Sequence, residues 1–227
     1  LEARAPVKEA HAGNGIGYTG IRIRGTDASR INVTLNGIPF NDAESQGTFF
    51  VDLPDFASSV GSIQIQRGVG TSSNGAGAFG ATINLSTNEV NHKAYAEINN
   101  GYGSFNTWKH TVKAGSGLLN NHFTIDARLS KISSNGYIDR AFSDLGSFYL
   151  SGAYISKRSS LRLNIFSGKE RTYQSWYGID SATLRNNRTF NPAGTEKPGD
   201  PYDNQTDKYL QDHYQLLQTG QSQFNRA

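Results

Sequence analysis

Asp42, Glu44, Ser45, Asp52 and Asp55 crowd one short stretch, and paired carboxylates are what glycoside hydrolysis requires. No histidine lies near them and no G-x-S-x-G turn exists, so the parts of a serine hydrolase are missing. The five histidines, His11, His92, His110, His122 and His213, never fall at metal-ligand spacing with one another. The lack of cysteine removes thiolate zinc sites and cysteine nucleophiles together. Two segments spell G-x-G-x-x-G, at 15–20 and 75–80. Each runs into an alternating strand rather than a helix whose N-terminus would face a pyrophosphate, so neither reads as a nucleotide site. Asn32, Asn187 and Asn204 begin Asn-x-Ser/Thr triplets, but Asn32 falls inside an expected buried strand that has no room for a glycan. These residues assemble no enzyme, metal or cofactor site. The acids read as solvated loop residues.

Composition narrows the partners. A formal net charge of +3 gives no argument for nucleic acid. No apolar run approaches the roughly 18 residues of a spanning helix, which leaves a spanning barrel open. Glycine (25), Tyr (11) and Phe (12) are plentiful, while hydrophobic residues make up only 36%. That is how strands joined by turns read.

The elements follow from periodicity. Residues 1–20 hold no readable element. Ile21–Arg24 and Ile31–Leu35 alternate as strands, the second closed by Asn36-Gly37, a strong hairpin signal. Residues 41–51 read as a loop. Asp52 and Pro54 mark the start of a short helix over 53–60, ended by Gly61. Ser62–Arg67 and Ala81–Ser86 are strands again, which makes residues 21–86 a small mixed α/β unit.

Beyond residue 92 only strands are expected. Thr107, Lys109, Thr111 and Lys113 share one face, with Trp108, His110, Val112 and Ala114 on the other. Phe123, Ile125, Ala127 and Leu129 alternate with Thr124, Asp126, Arg128 and Ser130, and Leu161, Leu163 and Ile165 with Arg162 and Asn164. A soluble sandwich would pack the apolar faces together; a membrane barrel would turn them to lipid. In the first case the chain is a β-rich carbohydrate-binding module with Trp108, Trp176, Tyr173 and Tyr177 as stacking platforms. In the second, such aromatics form interfacial girdles. Short turns expected at 101–103 and 157–159, against long polar loops at 133–146 and 172–207, follow the barrel habit.

Four blocks decide between them. Ile23-Arg24-Gly25-Thr26-Asp27, Val33-Thr34-Leu35-Asn36-Gly37-Ile38-Pro39, Ser62-Ile63-Gln64-Ile65-Gln66-Arg67-Gly68 and the run from Gly75 to Thr87 occur in this order. The chain thereby resembles the plug domain of TonB-dependent outer-membrane receptors. Residues 17–27 and 41–45 are most similar to receptors of the Bacteroidetes type. Two departures are mild: Gly68-Val69 stands where the family usually has Gly-Pro, and Gly80-Ala81 where Gly-Gly is frequent.

The resemblance implies a partial membrane β-barrel of antiparallel strands with a small mixed α/β plug: an N-terminal remnant at 1–12, the plug at 13–90 and the first barrel strands at 91–227. It implies nutrient import across the bacterial outer membrane, with no enzyme activity and no cofactor. The expected partners are a TonB-type energy-transducing protein, outer-membrane lipid, a small nutrient ligand and a surface substrate-binding lipoprotein. Arg24 and Arg67, each ending an apolar strand beside a glycine, become candidates for pairing with carboxylates of the barrel wall. The loops facing outward become candidates for ligand contact through Asn41, Asp42, Glu44, Gln46, Ser72, Ser73 and Asn74. A 22-stranded barrel at roughly 9 to 11 residues per strand needs on the order of 220 wall residues. The 135 residues from 93 to 227 supply about six strands, so the chain is expected to be part of something larger.

Overall fold

The computed structural model describes residues 8–11, 19–69, 78–87, 89–173, 175, 178–193 and 210–224, with 8–11, 19, 51 and 210–224 described as backbone alone. The described residues form a two-stranded ribbon, a four-stranded mixed sheet and a six-stranded antiparallel wall.

The chain opens with a ribbon. Strand β1 (Lys8–His11) pairs antiparallel with β2 (Thr19–Arg22). The sequence KEAH carries no apolar alternation, so its strand character comes from the partner and is not legible beforehand. β2 stops at Arg22 rather than Arg24 because Arg24 (φ 52°) and Gly25 (φ 77°) turn the chain through the left-handed region, with Thr26 N donating to Ile23 O at 3.0 Å.

β3 (Ile31–Leu35), β4 (Ile38–Pro39), β5 (Ser62–Arg67) and β6 (Ala81–Ser86) form a sheet in the order β4-β3-β6-β5. Only the β3–β6 pairing is parallel. Asn36 (φ 53°) and Gly37 (φ 83°) supply the two left-handed positions that a type I′ hairpin needs. The Asn36 amide also clasps β6, donating to Thr87 Oγ1 at 2.9 Å and accepting from Thr87 N at 2.7 Å. Alternate residues Ile31 and Val33 bury against Ala81, Ile83 and Ile23 in a compact core.

The segment expected as one helix over 53–60 holds only a 3₁₀ turn, Phe56–Ser59, and a second 3₁₀ turn, Phe50–Asp52, precedes it at the end of the expected 41–51 loop. Asp55, not Asp52, stands at the N-cap of the Phe56–Ser59 turn, in a left-handed conformation (φ 46°, ψ 29°) that breaks helical continuity. Its carboxylate does not cap the turn, because the wall claims it.

The wall consists of β7 (Tyr95–Gly103), β8 (Thr107–Gly115), β9 (Phe123–Ser134), β10 (Ser143–Ile155), β11 (Ser159–Tyr173) and β12 (Leu210–Phe224), each hydrogen-bonded to the next. Residues 101–103, expected as a turn, lie inside β7; the reversal comes at 104–106, where Phe105 and Asn106 take φ of 59° and 54°. The loop expected at 133–146 shrinks to 135–142, because Ser134 and Ser143 are already paired. The long connection from β11 to β12 holds a six-residue helix, α1 (Ser181–Asn186), capped by Asp180.

The faces of this wall have the polarity of a barrel. Thr111, Thr124, Arg128, Ser130, Ser151, Arg162 and Asn164 are buried on the side of the plug. Ile98, Val112, Ile125, Leu129, Leu150, Leu161 and Leu163 are exposed on the other. In a sandwich the assignment would be reversed, so the soluble reading does not describe this chain. Along β9 the apolar band runs from Phe123 to Leu129 and ends at Lys131, which pairs with Asp144 on β10. Aromatics flank the band: Tyr102 and Trp108, 4.6 Å apart, at one rim, and Phe123 and Tyr154, 5.1 Å apart, at the other. Tyr173 departs from the girdle expectation, since it is buried with the Arg140 guanidinium 5.9 Å over its ring. Trp176 and Tyr177 lie outside the described residues.

Three connections at one rim are tied to one another. Asn135 N donates to Phe105 O at 2.9 Å, and Tyr137 stands edge-on to Phe105. Arg140 Nη2 donates to Asn191 O (2.7 Å) and Ala193 O (2.8 Å), while Asn191 Nδ2 donates back to Asp139 O at 3.0 Å.

Candidate functional site

The plug meets the wall around one carboxylate. Pro54 and the left-handed Asp55 push the 52–56 segment outward, and the Asp55 side chain, only 6% exposed, enters a set of donors from β8 and β9. Lys109 Nζ donates to Oδ1 at 2.7 Å and to Ser58 Oγ at 3.0 Å. Arg128 Nη1 lies 3.3 Å from Oδ2, and the Ser130 hydroxyl donates to the same oxygen. From the plug itself, Ser58 Oγ donates to Oδ1 at 2.7 Å. Burial alone would raise the Asp55 pKa. Hydrogen bonds from Lys109, Ser130 and Ser58 and the Lys109 charge outweigh it, so the carboxyl is held below its ordinary value of 3.8.

An apolar contact surrounds this polar one. Leu35, Leu53 and Phe56 of the plug pack against Tyr149 of β10 and Phe166 of β11, with the Phe56 and Phe166 ring centroids 4.9 Å apart. The Tyr149 hydroxyl lies 2.9 Å from both Thr87 Oγ1 and Asn164 Oδ1, bridging plug and wall. Gly168 is glycine for a steric reason: a Cβ there would come within 2.5 Å of Pro54 Cγ. Beside the contact lies a polar cavity of about 300 Å³, lined by Ser58, Gly61 and Thr87 of the plug and by Glu97, Lys113 and Asp126 of the wall.

Asp55 was legible only as one of several loop acids, and its role comes from partners 54, 73 and 75 residues away. The available signal was two cations, Lys109 and Arg128, on strand faces that a barrel turns inward. Arg24 and Arg67 are both exposed. The Arg24 guanidinium reaches within 4.0 Å of where a Gly68 Cβ would stand, so the two arginines gather at one edge of the plug. The docking pairs seen here thus have the carboxylate on the plug and the cations on the wall.

The loop after β4 is built from its own polar groups. Asn41 accepts from Val33 N (2.7 Å) and donates to Ile31 O (2.9 Å) and Gln46 O (2.8 Å). Asp42 accepts from Ser45 N at 2.7 Å, Ser45 Oγ at 2.8 Å and Glu44 N at 3.2 Å, and these bonds, the Ser45 backbone first, lower its pKa. Gln46 donates to Ala43 O at 3.0 Å. Glu44 joins this network through its backbone N–H alone, and its side chain is exposed. Ser72, Ser73 and Asn74 lie outside the described residues. Of the strand ends on either side, Arg67 pairs with Ala81 and Ala81 with Ile31, at the end of the sheet where Asn41 bonds to Ile31 O.

Residues 4–82 match the family model for the TonB-dependent receptor plug domain. No curated protein sequence matches the chain significantly. Among solved structures, the Pseudomonas aeruginosa receptor FpvA with a bound heterologous ferric pyoverdine is similar over 95% of this chain and 27% of its own, at 16% identity and a TM-score of 0.67. The ferric yersiniabactin uptake receptor FyuA of Yersinia pestis is similar over 76% of this chain and 28% of its own, at 14% identity and a TM-score of 0.60. The copper transporter OprC is similar over 73% and 26%, at 16% identity and a TM-score of 0.60. The chain therefore spans about a quarter of the length of the solved receptors it matches. Residues 4–82 thus match the plug domain of the TonB-dependent receptors, and the chain shares the fold of the plug and adjoining barrel strands of those solved receptors.

Proposed function

We propose that residues 13–90 act as the plug and residues 91–227 as the opening wall of an outer-membrane transporter, which captures a small extracellular nutrient and admits it when a TonB-type partner displaces the plug. The observation that carries this reading is the inverted polarity of the wall together with Asp55. A carboxylate clasped by Lys109, Arg128 and Ser130 holds the plug by charge-assisted hydrogen bonds. Such bonds can be exchanged for water when the plug moves, whereas a purely apolar joint would expose its whole surface. The cavity beside Ser58 and Arg128 already holds space between plug and wall.

Ligand contact falls to the plug end that carries the Asn41 loop and the strand ends at Arg67 and Ala81. Asn41, Asp42 and Gln46 hold the loop's shape, so Glu44 with Ser72, Ser73 and Asn74 supply the contacts. This chemistry suits a hydroxyl-rich or chelated ligand, and the solved receptors of similar fold include ones for ferric siderophores and copper. Arg24 and Arg67 dock the plug edge to wall carboxylates.

Thiol labelling in cells tests the reading. A Thr87→Cys receptor should react with an impermeant maleimide faster when the inner-membrane transducer is active than when it is deleted, because Thr87 is shielded by Tyr149 in the docked plug. Equal labelling in both strains would remove the case for a displaced plug.

A further inference from the structure

The outer face of the wall carries a groove that import does not use. On β9, β10 and β11 the outward residues form two cross-strand rows, Phe123–Tyr154–Leu161 and Ile125–Gly152–Leu163. Gly152 leaves a dent between Ile125 and Leu163, and a Cβ built there meets nothing within 4 Å. Leu119 closes one side. It is brought there by the Asn120–Asn121 turn, both residues with positive φ, which returns the chain through paired hydrogen bonds between Leu119 and Phe123. The result is a groove of about 470 Å³ with an almost wholly apolar lining.

Charge gathers at its end. The strand-to-strand connections on this rim, 116–122 and 156–158, contain Lys157, Arg158 and His122 and no acid, while Glu89, in the connection from the plug, turns toward Gly61. Lys157 and Arg158 are exposed in the turn between Tyr154 and Leu161, the outer row of the groove. The rim is held in place, with Ile155 N donating to His122 O at 2.7 Å and His122 Nδ1 lying 2.8 Å from Ile155 O. It is also the rim where the plug joins the wall, since β7 starts there and the backbone at Lys93 and Ala94 packs against Gly117. In barrels of this kind that rim faces the periplasm, where the leaflet is phospholipid.

The geometry points to a bound anionic phospholipid, one acyl chain lying over Gly152 and the phosphate held by Lys157 and Arg158. The inference rests on the wall reading above. An apolar slot that ends in two cations fits a molecule with the same order of parts, and juxtamembrane basic residues attract anionic headgroups. Neutral lipid would fill the groove without using the charge.

Native mass spectrometry of the full-length receptor in detergent, titrated with phosphatidylglycerol, phosphatidylcholine or lipid A, tests this. Phosphatidylglycerol should be retained over phosphatidylcholine by up to roughly 30-fold, the value for two basic groups at an anionic surface. The Lys157→Gln/Arg158→Gln variant should retain the two phospholipids equally, and Gly152→Leu should lower retention of both. No preference in the wild type, a preference unchanged in the double variant, or stronger retention of lipid A would overturn the assignment. The double variant alters an exposed turn, so it remains informative if Gly152→Leu fails to fold. Failure of the wall reading would show separately, as a receptor that stays dispersed without detergent.

Discussion

Asp55 concentrates the consequences at the scale of single residues. Arg128 is 3% exposed beside it, so Asp55→Ala leaves a buried cation without its partner, at about 3–5 kcal/mol. Loosening of the plug should appear as faster protease cleavage in the 52–60 segment while the wall stays intact. The pH dependence has a definite sign. The folded pKa of Asp55 lies below its ordinary 3.8, so its contribution is complete above that value and is lost as pH falls through the lowered folded pKa. Plug retention, followed by tryptic accessibility after acid exposure, should fall in that range in the wild type, and Asp55→Asn should flatten this limb. Asn41 gives a contrasting case. Asn41→Ala removes three hydrogen bonds to backbone and should speed amide exchange at Val33 by about tenfold, at roughly 1 kcal/mol or more. Glu44→Gln should leave that exchange unchanged and alter only ligand affinity.

At the scale of elements, the tight point is the crossing of β11 by the 52–56 segment. Gly168→Ala places a methyl against the rigid Pro54 ring and should cost about 1–3 kcal/mol of docking stability, read as a lower denaturant midpoint for plug release. Strands were legible wherever side chains alternate strictly. Ile31–Leu35, Ser62–Arg67 and Ala81–Ser86 stand where the pattern puts them, and Asn36-Gly37 turns as its dihedral freedom requires. Elements set by partners were not. β1 exists through β2, and the 53–60 helix failed because Asp55 gives its carboxylate to residues of β8 and β9 instead of a helix N-terminus. Turn positions in the wall shifted for a related reason, since pairing carries β7 through Gly101-Tyr102-Gly103 despite the two glycines.

For the molecule as a whole, the deciding quantity is which face of the wall meets water. Periodicity gave two-faced strands and could not say which face turned inward. The plug motifs supplied the missing information, because a polar-lined bore needs a polar stopper. Leu129, 64% exposed on the outer face between the two aromatic rims, tests the assignment. Leu129→Arg should cost about 2–4 kcal/mol of membrane stability, seen as loss of heat-modifiable mobility on gels. Ser151→Thr, on the inner face, should leave mobility unchanged.

The bonds that join residues 104–106, 135–140 and 189–193 have an evolutionary corollary. Segments tied through Arg140 and Asn191 cannot drift independently, because a change in one strands a carbonyl or an amide in the other. Diversification at this rim should proceed by replacing the whole cassette. Chimeras that exchange all three segments with another receptor should assemble where single-segment exchanges do not.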